Sequence, residues 1–149
     1  MLDGIPMPPL RRSRLSQAWL ALTVVLTLHI IEGALRDYLS FYNPLAMSLR
    51  DTLLWTWMPT FTLAAWLGGW IVILGVLYGM TWFAAYNARW IIWAAIAYAE
   101  VMFLYAAAKL GFAIYLEKAI PGVLTAPLLV IAASWLTVEA LLALRRPSA

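Results

Sequence analysis

The chain has 149 residues, of which 65% are hydrophobic and 11% are charged, and its mean hydropathy is +0.86. Soluble domains carry about 25% charged residues, since they need polar surface to cover an apolar core. This composition excludes a soluble globular domain and predicts an all-α integral membrane protein. The net charge is +3, but the arginines stand at the ends of apolar runs, which argues against a nucleic-acid-binding surface. The sequence contains no cysteine, which excludes disulfides, Cys-ligated zinc and iron–sulfur clusters.

Residues 1–14 are predicted to form an extended arm rich in proline and arginine. Three prolines within nine residues disfavour a helix. The apolar run that follows is too long for the core of a secretory signal, so we expect the arm to be retained. Residues 15–149 then form a single transmembrane domain.

Four segments are long and apolar enough to cross a bilayer, which takes about 20 residues in a helix. The predicted spans are 15–39, 59–85, 90–116 and 123–144, which gives a four-helix transmembrane bundle. Between the first two, Asn43-Pro44 is predicted to be a turn. Residues 45–57 follow it as an interfacial amphipathic helix with Trp55 and Trp57 at headgroup level, although they also fit an extension of the second span.

Four spans place both chain ends on one side of the membrane. The charge bias predicts that this side is the cytoplasm, because basic residues favour it. On the side of the termini lie Arg11, Arg12, Arg14, Arg89, Arg145 and Arg146. On the other side lie Arg36, Arg50, Lys109 and Lys118.

Small residues at steps of three and four predict two seams for close helix packing. One follows the second span, with Gly68, Gly75 and Gly79, and the other follows the first span, with Ala18 and Ala21. The pattern fits packing inside the bundle and packing against another subunit equally well. Tryptophans are also frequent, and they predict interface belts or a flat surface for lipid, pigment or quinone. These are Trp66, Trp70, Trp82, Trp90, Trp93 and Trp135.

The only histidine of the chain lies in the first span, in the stretch HIIEG. His29, Glu32 and Arg36 share one helical face, and Glu32 and Arg36 are spaced for an i, i+4 ion pair. Glu100 in the third span is predicted at a similar depth. Ionisable groups in hydrocarbon are costly, so His29, Glu32 and Glu100 are candidate functional residues. Lys109 is predicted on the face opposite Glu100, with its ammonium reaching toward the interface.

Three interpretations of His29, Glu32 and Glu100 remain open. They form a buried hydrogen-bond cluster that joins the spans, or they bind a ligand, or they perform acid–base chemistry on a lipid-like substrate. In the ligand interpretation His29 is the candidate metal ligand, for a haem or a chlorophyll-type magnesium held by one histidine, and lipid or quinone is the alternative.

The stretch HIIEG in a four-span chain, with IPGVLTA before the last span, resembles the HXXEE-motif family of small bacterial membrane proteins. His29 and Glu32 match the His and first Glu of that motif, and Gly33 stands in place of the second Glu. Pro121, Gly122 and Thr125 match a later Pro-Gly-x-x-Thr pattern. Tyr105 and Lys109 stand where the family has Asn and His. The resemblance implies a bacterial inner membrane and no established activity.

These features predict a non-catalytic accessory or assembly subunit. Such a protein packs against partner membrane proteins or a second copy, contacts membrane lipids and binds lipid or a hydrophobic cofactor, for example in an energy-converting complex. The alternative is an intramembrane enzyme on a lipid or isoprenoid substrate, with His29 as base and Glu32 and Glu100 as acid or orienting group.

Overall fold

The computed structural model describes residues 13–53, 58–86 and 89–145. The described residues form five α-helices and no strand. The helices are α1 (Arg14–Leu35), α2 (Tyr38–Leu53), α3 (Leu63–Ala85), α4 (Arg89–Tyr115) and α5 (Ala126–Leu144). All but α2 are long and apolar enough to cross a membrane. The predictions of an all-α chain and of four such helices are therefore confirmed for this part of the chain. The arm predicted at residues 1–14 lies almost entirely outside the described residues.

Helix α1 is the centre of the bundle. It packs against α5 on one side and antiparallel to α3 on the other. Its N-cap residue and two of its side chains donate to backbone carbonyls of α3: Ser13 Oγ to Ala84 at 2.9 Å, Ser16 Oγ to Thr81 at 3.3 Å and Trp19 Nε1 to Leu77 at 2.8 Å. Trp19 is 1% exposed, so its indole N–H needs an acceptor inside the protein.

Two predictions about α1 and α2 were wrong in detail. The first span was expected to reach residue 39, but α1 ends at Leu35 because Asp37 adopts a left-handed backbone conformation with φ 51°. Asn43-Pro44 was expected to be a turn, but it lies inside α2. The proline removes one helical hydrogen bond to the carbonyl of Ser40, a residue on the exposed side of α2.

Helix α2 is tied to the segment that leads into α3. The Asn43 side chain accepts from the N–H of Phe61 at 3.1 Å and donates to its carbonyl at 2.9 Å. Tyr42 donates to the carbonyl of Pro59 at 3.1 Å. These bonds hold the start of α2 against the start of α3, and a groove lies between the two helices. Trp55 and Trp57, predicted at headgroup level, lie outside the described residues.

The two predicted small-residue seams differ in the structure. Ala18 is fully buried in the core, whereas Ala21 is half-buried. On α3, a Cβ added at Gly68, Gly75 or Gly79 would meet no atom within 4 Å. Among the described residues the α3 seam is therefore open and does not join α3 to another helix.

Candidate functional site

The side chains of His29 and Glu32 point toward the turn that precedes α5. Both residues lie near the C-terminal end of α1, and α1 and α5 run antiparallel, so they meet the N-terminus of α5. The Glu32 carboxylate accepts from Thr125 Oγ1 at 2.6 Å, from Thr125 N at 2.9 Å and from Leu124 N at 3.2 Å. It therefore caps the start of α5 in place of a side chain of α5 itself, where a negative charge also meets the positive end of the helix dipole.

Glu32 also forms the ion pair that the sequence predicted. Arg36 Nε lies 3.7 Å from Glu32 Oε1, and the Arg36 side chain is 44% exposed whereas that of Glu32 is 11% exposed. The pair lies at the exposed edge of the site. It therefore stabilises the Glu32 carboxylate less than the three hydrogen bonds from residues 124 and 125 do.

His29 is hydrogen-bonded at both ring nitrogens. Nδ1 lies 2.7 Å from Thr125 Oγ1, and Nε2 lies 2.9 Å from Lys109 Nζ and 3.2 Å from Tyr105 Oη. The hydroxyl group of Thr125 donates its hydrogen bond to Glu32, so toward His29 it can only accept one. The proton of the neutral imidazole therefore lies on Nδ1. The lone pair of Nε2 then faces Lys109.

Lys109 is the residue that sequence reasoning misplaced. It was expected to extend toward the interface, but it is only 9% exposed and its ammonium lies between His29 Nε2 and Tyr105 Oη, 3.1 Å from the latter. The spacing of nine residues places Lys109 and Glu100 on opposite faces of α4, as predicted. Lys109, however, lies on the inner face and Glu100 on the exposed one. Tyr38, at the start of α2, places the face of its ring over the ammonium, with the ring centroid 4.8 Å from Lys109 Nζ. Burial raises the pKa of Tyr38, as does its neighbour Tyr42, so Tyr38 is a neutral phenol.

Glu100 does not join His29 and Glu32. It lies on the exposed face of α4, and its carboxylate accepts from Thr137 Oγ1 at 3.5 Å. The predicted proximity of the three residues is thus observed for His29 and Glu32 alone.

Gly122 closes the site from the loop before α5. It has φ 87°, which favours glycine, and a Cβ at this position would clash with Lys109 Nζ and lie 2.7 Å from His29 Cε1. The backbone at Gly122 can approach Lys109 and His29 only because glycine has no side chain.

We call His29, Glu32, Tyr105, Lys109 and Thr125 the polar cluster.

Two cavities near the polar cluster share part of their lining. A void of about 20 Å³ is lined by His29, Tyr105 and Lys109 together with apolar and aromatic residues. A groove of about 330 Å³ lies between α2 and α3. Tyr38, Trp66 and Trp70 line both spaces. The groove is further lined by Tyr42, Phe61, Ala65, Gly69 and Ile73.

The surroundings of His29 do not fit axial ligation of a haem or a chlorophyll-type pigment. Nδ1 is held by Thr125, and the lone pair of Nε2 meets the ammonium of Lys109, a cation that a metal ion would have to displace. Within the described ranges no three residues among His, Asp and Glu come together as a metal site. The arrangement instead suits a group that accepts hydrogen bonds.

No family model, curated protein or solved structure matches this chain. The resemblance to the HXXEE-motif family therefore stays a prediction.

Proposed function

We propose that this chain is a multi-pass membrane protein that binds a lipid-soluble molecule and acts as a non-catalytic subunit among partner membrane proteins. One observation carries the binding part of the proposal: an aromatic groove of about 330 Å³ shares Tyr38, Trp66 and Trp70 with a small void beside the polar cluster. Small-molecule sites are mostly apolar clefts of about 300–1,000 Å³ with a few polar groups that fix orientation. A molecule with an apolar body and one polar end matches this arrangement.

Native purification tests the binding part of this proposal. The chain is extracted in a mild detergent, and bound lipids and isoprenoids are identified by mass spectrometry, with an absorption spectrum recorded on the same sample. We expect one class of amphiphile at a stoichiometry near one per chain. Replacing Trp70 with Ala removes a wall of the groove and should reduce the retained amount several-fold, whereas Trp93→Ala, on the exposed side of α4, should not. Equal retention by both variants would contradict binding in the groove.

Two exposed features support contact with a partner. Glu100 lies near the middle of α4 on its exposed face, where a carboxylate facing acyl chains costs a few kcal/mol. The glycine seam of α3 is open and suits close approach of another helix. We infer that another polypeptide, either a different subunit or a second copy, covers at least the face that contains Glu100. Co-purifying chains in the native preparation, or a dimer mass in native mass spectrometry, test this part.

The proposed orientation places both chain ends in the cytoplasm of a bacterial cell, in its inner membrane. The chain contains no cysteine, so single cysteines report it cleanly. We expect Lys118→Cys to react with a membrane-impermeant maleimide added to intact cells, because residue 118 follows α4 at the end opposite the termini. Arg14→Cys and Arg145→Cys should react only after permeabilisation. Labelling of all three from outside, or of the terminal pair alone, would overturn this orientation.

An intramembrane enzyme on a lipid or isoprenoid substrate is the second candidate, and one observation favours it. The chain of hydrogen bonds from Glu32 through Thr125 to His29 orients the imidazole and leaves Nε2 as the basic nitrogen. To act as a general base, Nε2 exchanges its contact with Lys109 for one with the substrate. Glu100 takes no part in this chain. Incubating the protein and its His29→Asn variant with a total membrane lipid extract tests the idea. A product that forms only with the unmodified protein would favour the enzyme over the non-catalytic subunit.

A further inference from the structure

At the end formed by Lys109, Tyr105 and His29 Nε2, the polar cluster has more hydrogen-bond donors than acceptors. As an ammonium, Lys109 brings three N–H donors and no acceptor, and Tyr105 adds an O–H. At this end of the cluster the recorded acceptors are His29 Nε2, with one lone pair, and the oxygen of Tyr105. His29 offers no second acceptor, because Nδ1 is protonated and donates a hydrogen bond to Thr125. A further group at this point must therefore accept hydrogen bonds.

The charge of Lys109 points in the same direction. Lys109 is 9% exposed, and among the described residues no carboxylate lies within 4.0 Å of its Nζ, since the one ion pair at that distance joins Arg36 to Glu32. The nearest groups around the ammonium are an imidazole and two phenol rings, all without negative charge. Buried cations in proteins are usually paired with an anion. The one carboxylate of the polar cluster, that of Glu32, is engaged by residues 124 and 125 and by Arg36, and it does not contact Lys109. The missing acceptor is thus expected to carry a negative charge.

The shape of the two cavities limits how this anion is attached. A void of about 20 Å³ beside Lys109 and Tyr105 holds a single oxygen atom, since a water needs roughly 10–15 Å³ measured in this way. The groove beyond it is larger and almost entirely apolar in its lining. A free inorganic anion would leave the groove empty, whereas an apolar chain that ends in an anion fills both spaces.

We propose that the ligand of this site is an amphiphile that ends in a carboxylate, of the long-chain fatty acid class. One carboxylate oxygen lies in the void and accepts from Lys109 and Tyr105, and the hydrocarbon chain follows the aromatic groove between α2 and α3. This inference rests on the proposed binding function and adds the chemical class of the ligand. An alkylammonium is excluded by its own charge and donors, and an alcohol leaves the Lys109 charge unpaired.

A competition experiment tests the class of ligand. The full-length protein in detergent is bound to tritiated palmitic acid in a scintillation proximity assay, and unlabelled palmitic acid, hexadecan-1-ol and hexadecylamine compete for it. We expect palmitic acid to compete at a concentration at least tenfold lower than the alcohol or the amine, the effect of one hydrogen bond to a charged group. Equal competition by all three compounds would refute the carboxylate assignment but leave a hydrophobic site in place.

Variants place the interaction at Lys109. Lys109→Met keeps the length of the side chain and removes its charge, and we expect palmitate affinity to fall about tenfold or more. Lys118→Met is the matched control, because Lys118 is exposed beyond the end of α4, and it should bind as the unmodified protein does. Tyr105→Phe keeps the ring and should weaken binding about threefold, which provides a second test if Lys109→Met does not fold. Unchanged binding in both site variants would overturn the inference, and absence of saturable binding by any probe would overturn the proposed function itself.

Discussion

Replacing Glu32 with Ala should lower the free energy of unfolding by about 2–4 kcal/mol, one of the two largest effects that we expect in this chain. The carboxylate accepts from the exposed Leu124 N and from the partly buried Thr125 N and Oγ1, so its removal takes the acceptor from two partly buried donors at the start of α5. Thermal unfolding followed by tryptophan fluorescence in detergent measures the effect, with roughly 2–4 °C of Tm lost per kcal/mol.

Glu100→Ala is the matched control for this experiment. It removes a carboxylate from an exposed position with one hydrogen bond of 3.5 Å, where an unpaired charge is costly in hydrocarbon, so we expect no loss of stability. Equal losses in the two variants would show that Glu32 does not serve as a cap for α5.

Gly122→Ala should destabilise the protein by a similar amount, about 2–4 kcal/mol, for a different reason. A residue with a Cβ pays about 1–2 kcal/mol to adopt a left-handed conformation, and the new methyl group would overlap Lys109 and His29, which adds the cost of overpacking. The same thermal unfolding assay measures this loss, and palmitate binding should fall with it because Lys109 must move.

Gly75→Ala provides the comparison at a helical glycine. A Cβ there meets no atom within 4 Å, and alanine is the better helix former, so the isolated chain should become slightly more stable, by about 0.5–1 kcal/mol. If Gly122→Ala lowered the free energy of unfolding no more than Gly75→Ala does, the loop would not approach the polar cluster as closely as described.

The sequence predicted the helices better than the contacts between them. Hydrophobic runs of spanning length identify α1, α3, α4 and α5, because length and apolar composition depend on one segment at a time. The spacing of Glu32 and Arg36 likewise predicted their ion pair, since both lie on one helix. These inferences need no knowledge of the neighbouring helices.

The composition of the polar cluster was less accessible. Periodicity shows that Glu100 and Lys109 lie on opposite faces of α4, but it does not show which face turns inward, and the general rule that lysines reach for the interface favoured the wrong one. Asn43 gave no sign of its two bonds to Phe61, because such bonds depend on how α2 packs against the start of α3.

The distance in sequence between Glu32 and its partner has a consequence for biosynthesis. Thr125 lies 93 residues after Glu32. A ribosome adds about 5–20 residues per second, so α1 emerges about 5–20 s before the residues that satisfy its carboxylate. During that interval the nascent chain holds a helix with an incomplete polar face, and only translation of the last helix completes it. A chain truncated before residue 122 should therefore be a preferred target of membrane quality-control proteases.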